Sequence, residues 1–217
     1  MDRDVAVERV LTLLETIENE PMPVPLREVW VLGDLALGMD PVERLDIYLS
    51  KDLLFTTQRT NPDEAKQFKE QYGIDGIGTT VSAEWATEFP EFIRANASGH
   101  AAPERCLGSH LVAANEPMHL EVCNASFEQN VTQRLRGAKA TKSWEELLDP
   151  RAVCLWKDGQ RSQEAPTRLR EGSYVFPTLP DALAMLGLSD EDAAEASRVL
   201  QDWRSEPTGR TVRGDVI

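Results

Sequence analysis

The sequence predicts an α/β or α+β fold, in which helices flank a mixed sheet and a helical extension follows. Residues 3–19 carry apolar side chains mostly at helical spacing. Residues 27–32 and 45–49 have the β-branched or alternating composition of strands. Toward the C-terminal end, capping residues precede helical apolar patterns. We therefore expect a sheet domain over residues 1–160 and a helical C-terminal extension over residues 161–217.

Two strands and a glycine turn form the centre of the expected sheet. Residues 27–32 are rich in β-branched and aromatic side chains, which predicts a central strand that ends at Gly33, where a tight turn is expected. In the second strand, apolar and polar residues alternate between Leu45 and Ser50. Period two puts Leu45, Ile47 and Leu49 in the core and leaves Asp46, Tyr48 and Ser50 on one shared face.

The remaining elements are expected from periodicity, caps and turn residues. A strand at 118–123 turns Met118, Leu120 and Val122 inward and leaves Glu121 on an exposed face, and another strand spans 152–156. Helices are expected over 61–72, from Ser82 to about Ala95, from Pro103, over 127–135, briefly after Ser143, after Thr178 and over 190–204. Residues 73–78 would be a flexible join, and Ser205 onward a loose tail.

The charge composition limits the classes of partner. The net charge is −14 with a pI near 4.7, which argues against nonspecific binding to a nucleic-acid backbone. Arginine outnumbers lysine 17 to 6, and acidic residues total 37. This composition resembles that of proteins from salt-adapted archaea; the alternative is an acidic protein of an organism that lives at ordinary salt.

The N-terminus and the cysteines predict a cytoplasmic protein. No run approaches the roughly 20 apolar residues that cross a bilayer, and Met1-Asp-Arg-Asp lacks an apolar secretory region. The chain has 3 cysteines, which we expect to be reduced thiols.

The segment Gly33-Asp-Leu-Ala-Leu-Gly38, followed by Leu45-Asp-Ile-Tyr48, resembles the active-site strand, turn and strand of the polymerase-beta-like nucleotidyltransferase superfamily. That family typically reads Gly-Ser-x-Ala-Arg-Gly and then Ser-Asp-x-Asp. The resemblance covers roughly residues 27–51. Gly33, Ala36 and Gly38 match the family pattern, as does Asp46 at the first acid position. An aspartate replaces the serine, a leucine replaces the arginine, and Tyr48 replaces the second acid.

The resemblance implies a nucleotidyltransferase-like mixed sheet and a particular site. The turn residues Gly33, Asp34 and Gly38 would bind the phosphates of a nucleotide, because glycine lets backbone N–H groups approach closely. The catalytic acids would be Asp46 and Glu121, which would also bind Mg²⁺.

These departures favour a degenerate nucleotidyltransferase-fold protein, non-catalytic or weakly active, that binds a nucleotide or a protein partner in a regulatory role. One alternative is an active metal-dependent nucleotidyltransferase. A second is a structural or interaction protein without a ligand site, whose C-terminal helix binds a partner through Leu200 and Trp203. As ordinary solvated strand acids, Asp46 and Glu121 would have no such role.

Two further clusters carry alternative hypotheses. Zinc is suggested by Cys106-x3-His110 and His119-x3-Cys123, but on a strand the last two residues lie about 13 Å apart. We therefore expect buried thiols and imidazoles rather than a zinc ion. The basic residues are Arg134, Arg136, Lys139 and Lys142, which fit either a phosphate or RNA contact or a helix end stabilised by its dipole.

Overall fold

The computed structural model describes residues 1–20, 22–51, 66, 70, 74–76, 82–83, 103–205 and 209–214. Its α-helices are α1 (Arg3–Asn19), α2 (Gly33–Ala36), α3 (Pro103–Leu111), α4 (Phe127–Thr141), α5 (Ala165–Glu171), α6 (Leu179–Met185) and α7 (Asp190–Ser205). The strands are β1 (Leu26–Leu32), β2 (Leu45–Lys51), β3 (Ile74–Gly76), β4 (Ser82–Ala83), β5 (Met118–Cys123), β6 (Ala152–Lys157), β7 (Gln160–Arg161) and β8 (Thr211–Arg213).

The main sheet is mixed and has the strand order β7-β6-β1-β2-β5-β8 in the described part of the chain. Strand β1 pairs antiparallel with both β2 and β6, whereas β2 and β5 are parallel, as are β5 and β8. Leu32, the last residue of β1, lies opposite both Asp46 and Ala152. The end of β1, the start of β2 and the start of β6 therefore meet at one end of the sheet.

Helices cover both faces of this sheet, which confirms the α/β class. One face packs against α1, α3 and α5, through a core that includes Leu13, Ile47, Leu107, Leu120 and Leu169. The other face packs against α4, and α6 and α7 pack beyond it in a second core. Because both faces are covered, every residue of β2 and β5 is buried.

The caps expected at Thr178 and Ser189 are confirmed, because each side chain accepts a hydrogen bond from a free N–H group in the first turn of its helix. Thr178 Oγ1 accepts from Asp181 N at the start of α6, and Ser189 Oγ accepts from Asp192 N at the start of α7. The short helix expected after Ser143 is only a 3-10 turn at Trp144–Glu146, and the Ser143 side chain makes no cap hydrogen bond.

Two expectations from local sequence are wrong because strand pairing overrides them. Thr211–Arg213 is not a loose tail but the strand β8, which hydrogen-bonds to β5. Ser82 does not cap a helix, since Ser82–Ala83 pairs with Ile74–Gly76 where a flexible join was expected. Of the helix expected over 61–72, only residues 66 and 70 are described, and both are helical; the helix expected from Ser82 to about Ala95 lies outside the described residues beyond Ala83. The boundary at residue 160 stays a prediction.

Among the helices described, none is both long enough and apolar enough to cross a membrane.

Helix α1 offers a matched test of its buried face. Val7 is 1% exposed and Val5 is 56% exposed on the same helix. Val7→Ala should lower the free energy of unfolding by about 2 kcal/mol, because two methyl groups are lost from a close-packed core. Val5→Ala should change it by less than about 0.5 kcal/mol. Urea denaturation measures both; equal losses would show that α1 does not pack as described.

Candidate functional site

The Gly33 turn lies directly beside the carboxylate of Asp46. Gly33 has φ +63°, in the left-handed region that favours glycine. A Cβ at this position would lie 2.0 Å from Arg204 Nη2 and 2.3 Å from Asp46 Oδ2. Glycine is therefore required here both for the backbone turn and for the two side chains that press against it.

Arg204, in the last turn of α7, is surrounded by carboxylates from three separate segments. Its Nη2 lies 2.7 Å from Asp46 Oδ2 and 3.4 Å from Asp34 Oδ1. Its Nη1 lies 3.8 Å from Asp149 Oδ2. The strand register explains this convergence, since Asp34 follows β1, Asp46 begins β2 and Asp149 precedes β6.

Two more arginines hold these carboxylates in place. Arg44 Nε donates to Asp46 Oδ1 at 2.9 Å, and Arg151 donates through Nε and Nη2 to the two oxygens of Asp149. Burial lowers the pKa of Arg204, but the charges of Asp46, Asp149 and Asp34 outweigh it and raise that pKa above its ordinary value. The guanidinium therefore stays protonated at every pH at which the protein is folded.

Glu121 belongs to a second charged network on the same face of the sheet. It accepts hydrogen bonds from Arg134 Nη2 at 3.0 Å and Arg213 Nε at 2.6 Å, and it contacts His119 Nε2 at 3.0 Å. Burial raises the pKa of Glu121, but the hydrogen bond of His119 and the charges of Arg213 and Arg134 outweigh it and lower that pKa to about 2. Glu121 therefore stays ionised, and its negative charge is balanced by the neighbouring arginines.

The expected exposed face of β5 is wrong, because α4 and α7 cover it. Glu121 is 3% exposed and His119 is 3% exposed. Arg134 reaches Glu121 from α4, and the ring of Trp203 in α7 packs edge-on against His119 with centroids 5.0 Å apart. Asp46, at 6% exposure, is likewise no solvated strand acid.

Tyr48 occupies the position where the resembling family has its second acid, and its hydroxyl has a structural role. The hydroxyl donates to Ala125 O at 2.6 Å and accepts from Asn130 Nδ2 at 3.2 Å. Its ring packs edge-on against Phe127. The side chain fills the space between β2 and α4 with a phenol that cannot bind a cation as a carboxylate would.

Gly38, the other glycine of the turn segment, contacts a different part of the protein. Its φ is +72°, and a Cβ there would lie 3.1 Å from the backbone of Gly172. Arg3 Nη2 donates to Gly38 O at 2.6 Å. The observed contacts of Gly38 thus join α1 to the end of α5.

Two cavities adjoin the charged cluster. A cavity of about 30 Å³ lies between the sheet face and α7, lined by Asp46, Glu121 and Trp203 among others. It has room for one or two water molecules. On the other side of Arg204, an open pocket of about 540 Å³ is lined by Asp34, Arg44, Arg151 and Arg204 among others. Its volume is in the range of small-molecule sites.

The side chains present do not fit the Mg²⁺ that the resemblance implies. The guanidinium of Arg204 occupies the position between Asp34, Asp46 and Asp149. Glu121 is engaged by two arginines and a histidine. Among the described residues, no group of three or more His, Cys, Asp and Glu side chains is arranged to hold a metal ion.

The cysteine and histidine pairs considered for zinc have separate environments. Burial, reinforced by the charge of Glu104, raises the pKa of the Cys106 thiol to about 11. His110 Nε2 lies 3.1 Å from Glu20, His119 Nδ1 lies 2.8 Å from Thr211 Oγ1, and Cys123 Sγ accepts from Arg134.

The basic cluster of α4 does not form one surface. Arg134 is buried against Glu121, and Lys142 Nζ lies 2.5 Å from Asp192 Oδ1. Lys139 Nζ donates to Gly187 O. Arg134, Lys139 and Lys142 thus contact neighbouring segments, a structural role different from the helix-dipole role expected.

The face of α7 that was considered for a partner is used inside the protein. Leu200 is 2% exposed in the second core, and Trp203 lies between His119 and the guanidinium of Arg213. Leu200 is therefore inaccessible to a partner on the folded chain, and Trp203 is only partly exposed.

Sequence reasoning missed most of the cations at this site. Arg204 and Arg213 carry no motif, and each reaches its carboxylate only because the chain folds. Asp149 lies just before the strand predicted over 152–156 and was not predicted as a site residue. One signal was available: an Arg two residues before Asp46 on a strand start lies on the same side of the backbone.

The fold and the cluster define an α/β protein whose carboxylates at one sheet end are neutralised by arginines. The chain matches the model of the Family of unknown function (DUF7095) over residues 2–217 and belongs to that family. No curated protein and no solved structure matches it.

Gly33→Ala tests the contact of the turn with the two side chains. The variant should lose about 2–3 kcal/mol of unfolding free energy, because alanine is strained at positive φ and Asp46 and Arg204 must shift. The matched control is Gly137→Ala in α4, where a Cβ meets nothing within 4 Å. That change should stabilise the protein by about 0.5–1 kcal/mol. Urea denaturation distinguishes the two, and a stabilising Gly33→Ala would contradict the described turn.

Acid titration tests the network of Glu121. Because its pKa falls from 4.5 to about 2 on folding, Glu121 contributes stability that is complete above pH 4.5 and is lost as the pH falls toward 2. The stability difference between wild type and Glu121→Gln should shrink by about 3 kcal/mol over that interval. Exposed Glu195→Gln should follow the wild type within about 0.5 kcal/mol. A difference that does not change with pH would rule out the described pairing.

Proposed function

We propose that this protein is a non-catalytic binding protein with a nucleotidyltransferase-like core, which takes up a nucleotide beside the Gly33 turn in a regulatory role. The observation that carries the proposal is the pocket of about 540 Å³ next to this turn, whose wall includes Arg44, Arg151 and Arg204. Arginines concentrated in one pocket of a chain with net charge −14 mark a local place for an anion.

Arg151 keeps a donor for a ligand. It uses Nε and Nη2 on Asp149, and its Nη1 makes no hydrogen bond to a described residue. Arg44 is 7% exposed and its Nη1 is itself buried, so Arg44 contributes positive charge to the pocket wall rather than an accessible donor. Guanidinium groups bind phosphate oxygens through such paired N–H donors.

The remainder of the pocket suits the other parts of a nucleotide. Leu37, Met39 and Leu179 supply apolar surface, and Met39 is 54% exposed. A base or sugar that covers these side chains would bury apolar area that is now in water. Gln201 and Ser205 of α7 add polar groups on the same wall.

The charges favour a ligand with few phosphates. Asp34 and Glu43 also line the pocket, and Asp46 and Asp149 pair with its arginines. The positive charge is therefore largely offset, so a triphosphate would add more repulsion than attraction. A monophosphate gains the directed hydrogen bonds at a smaller electrostatic cost.

The non-catalytic assignment rests on what surrounds the acids. Tyr48 stands where a second strand acid would be needed, and Glu121 is neutralised by Arg134 and Arg213. Neither Tyr48 nor Glu121 is available to activate an attacking hydroxyl.

A specific observation favours the second candidate, an active metal-dependent nucleotidyltransferase. Asp34, Asp46 and Asp149 approach one point from three segments, as ligands of a catalytic cation would. That candidate requires Arg204 to withdraw. Transfer of a labelled nucleotide to any acceptor in the presence of Mg²⁺, abolished by Asp46→Ala, would establish it over our proposal.

Isothermal titration calorimetry tests the proposed function. AMP and ATP are titrated in concentrated KCl, with and without Mg²⁺. We expect AMP to bind the wild type without Mg²⁺ and ATP to bind more weakly. Arg151→Gln should weaken AMP binding about 10- to 100-fold, because hydrogen bonds to a charged group are lost.

The matched control is Arg198→Gln, an exposed arginine of α7 that does not line the pocket. It should keep the affinity of the wild type. No heat with either nucleotide, or equal losses in the two variants, would reject nucleotide binding at this pocket.

A further inference from the structure

We infer that Arg204 is a built-in cation that replaces a divalent metal ion among Asp34, Asp46 and Asp149, and thereby latches α7 to the end of the sheet without any metal. This inference stands whether or not a nucleotide binds the adjoining pocket. It follows from the disagreement between the metal that the Gly33 segment implies and the side chains that surround it.

The guanidinium of Arg204 lies between the three carboxylates. Its Nη2 contacts Asp46 Oδ2 at 2.7 Å and Asp34 Oδ1 at 3.4 Å, so one nitrogen bridges the two carboxylates. The other terminal nitrogen faces Asp149 at 3.8 Å. A planar group with several donors can bridge carboxylates in this way, which a lysine ammonium cannot do with the same geometry.

The space around the Arg204 guanidinium is narrow on the side of Gly33. The guanidinium lies where even a Cβ on Gly33 would come within 2.0 Å of its Nη2. The small cavity on the sheet side of it measures about 30 Å³, room for water only. A hydrated divalent ion keeps several waters, so it does not fit among the three aspartates on this side unless Arg204 is displaced.

The positive and negative charges of this cluster balance. Arg44 pairs with Asp46 and Arg151 pairs with Asp149, and Arg204 adds a third positive charge opposite the three aspartates. The cluster therefore has no net negative charge with which to attract a divalent ion. The second network, around Glu121, is likewise supplied with cations by Arg134 and Arg213.

The mechanical consequence is a latch. Arg204 joins the C-terminal end of α7 to residues 170 and 158 positions earlier in the chain, Asp34 and Asp46. The adjacent Trp203 packs against His119 and under Arg213 and Arg44, at 4.5 and 5.5 Å from its ring centre. Removing the guanidinium would leave three carboxylates facing one another and would loosen this end of the helix.

Thermal unfolding of the full chain tests the inference with two variants and one control. Arg204→Ala removes the cation and leaves a space, whereas Arg204→Met removes the charge but fills the space. Both should lower Tm by roughly 5–10 °C, since partly buried paired charges are left unpaired. Arg198→Ala, on the exposed side of the same helix, should change Tm by less than about 2 °C.

Chemical rescue distinguishes a cation from a merely bulky side chain. Millimolar methylguanidinium should recover part of the Tm lost in Arg204→Ala but none of that lost in Arg204→Met or in the control. Failure of this rescue in a folded Arg204→Ala protein would overturn the inference.

The wild type supplies a test that does not depend on how the variants fold. Millimolar Mg²⁺ or Mn²⁺, compared with EDTA, should leave its Tm unchanged at fixed ionic strength. A rise in Tm that saturates with either metal would show that the ion takes the place of Arg204, and would overturn the inference. Because no nucleotide is present, neither result depends on the proposed function.

Discussion

The contact of Arg204 with Asp46 and its neighbouring carboxylates is the interaction on which the arrangement of this protein depends. It joins the last helix to the starts of β2 and β6 and to the turn after β1. Without a cation at that point, three acids would face one another in a partly buried space, which is strongly unfavourable. The glycine at position 33 follows from the same contact, because any side chain there would collide with the ion pair.

The excess of arginine over lysine in this chain can be related to its buried ion pairs. Buried pairs are screened by salt much less than exposed ones, so networks such as Arg134 with Glu121 persist in concentrated salt, where surface ion pairs lose most of their strength. Arginine suits these positions better than lysine, because its planar fork binds two acceptors at once. The preference of 17 arginines to 6 lysines agrees with this use.

The proposed function combines a retained binding surface with a disabled reaction centre. In that proposal, the turn at Gly33, the acid at Asp46 and the adjoining pocket would form the phosphate-binding surface. The side chains that would perform chemistry are absent or engaged, as Tyr48 and Glu121 show. Such a protein would report on a ligand rather than convert it. Since Arg204 belongs both to the pocket wall and to the latch, a bound anion would act directly on α7.

Sequence patterns by themselves determined the α/β class, the strands around Gly33, and the caps at Thr178 and Ser189. These depend on contacts between neighbours in the chain or on the two-residue period of a strand, so local order is sufficient. Only the tertiary structure decided that Glu121 is buried, that the tail returns as β8, and that Arg204 sits among the acids. Most of the contacts behind those features join residues more than 50 positions apart, and a long charged side chain shows no periodicity that reveals its partner.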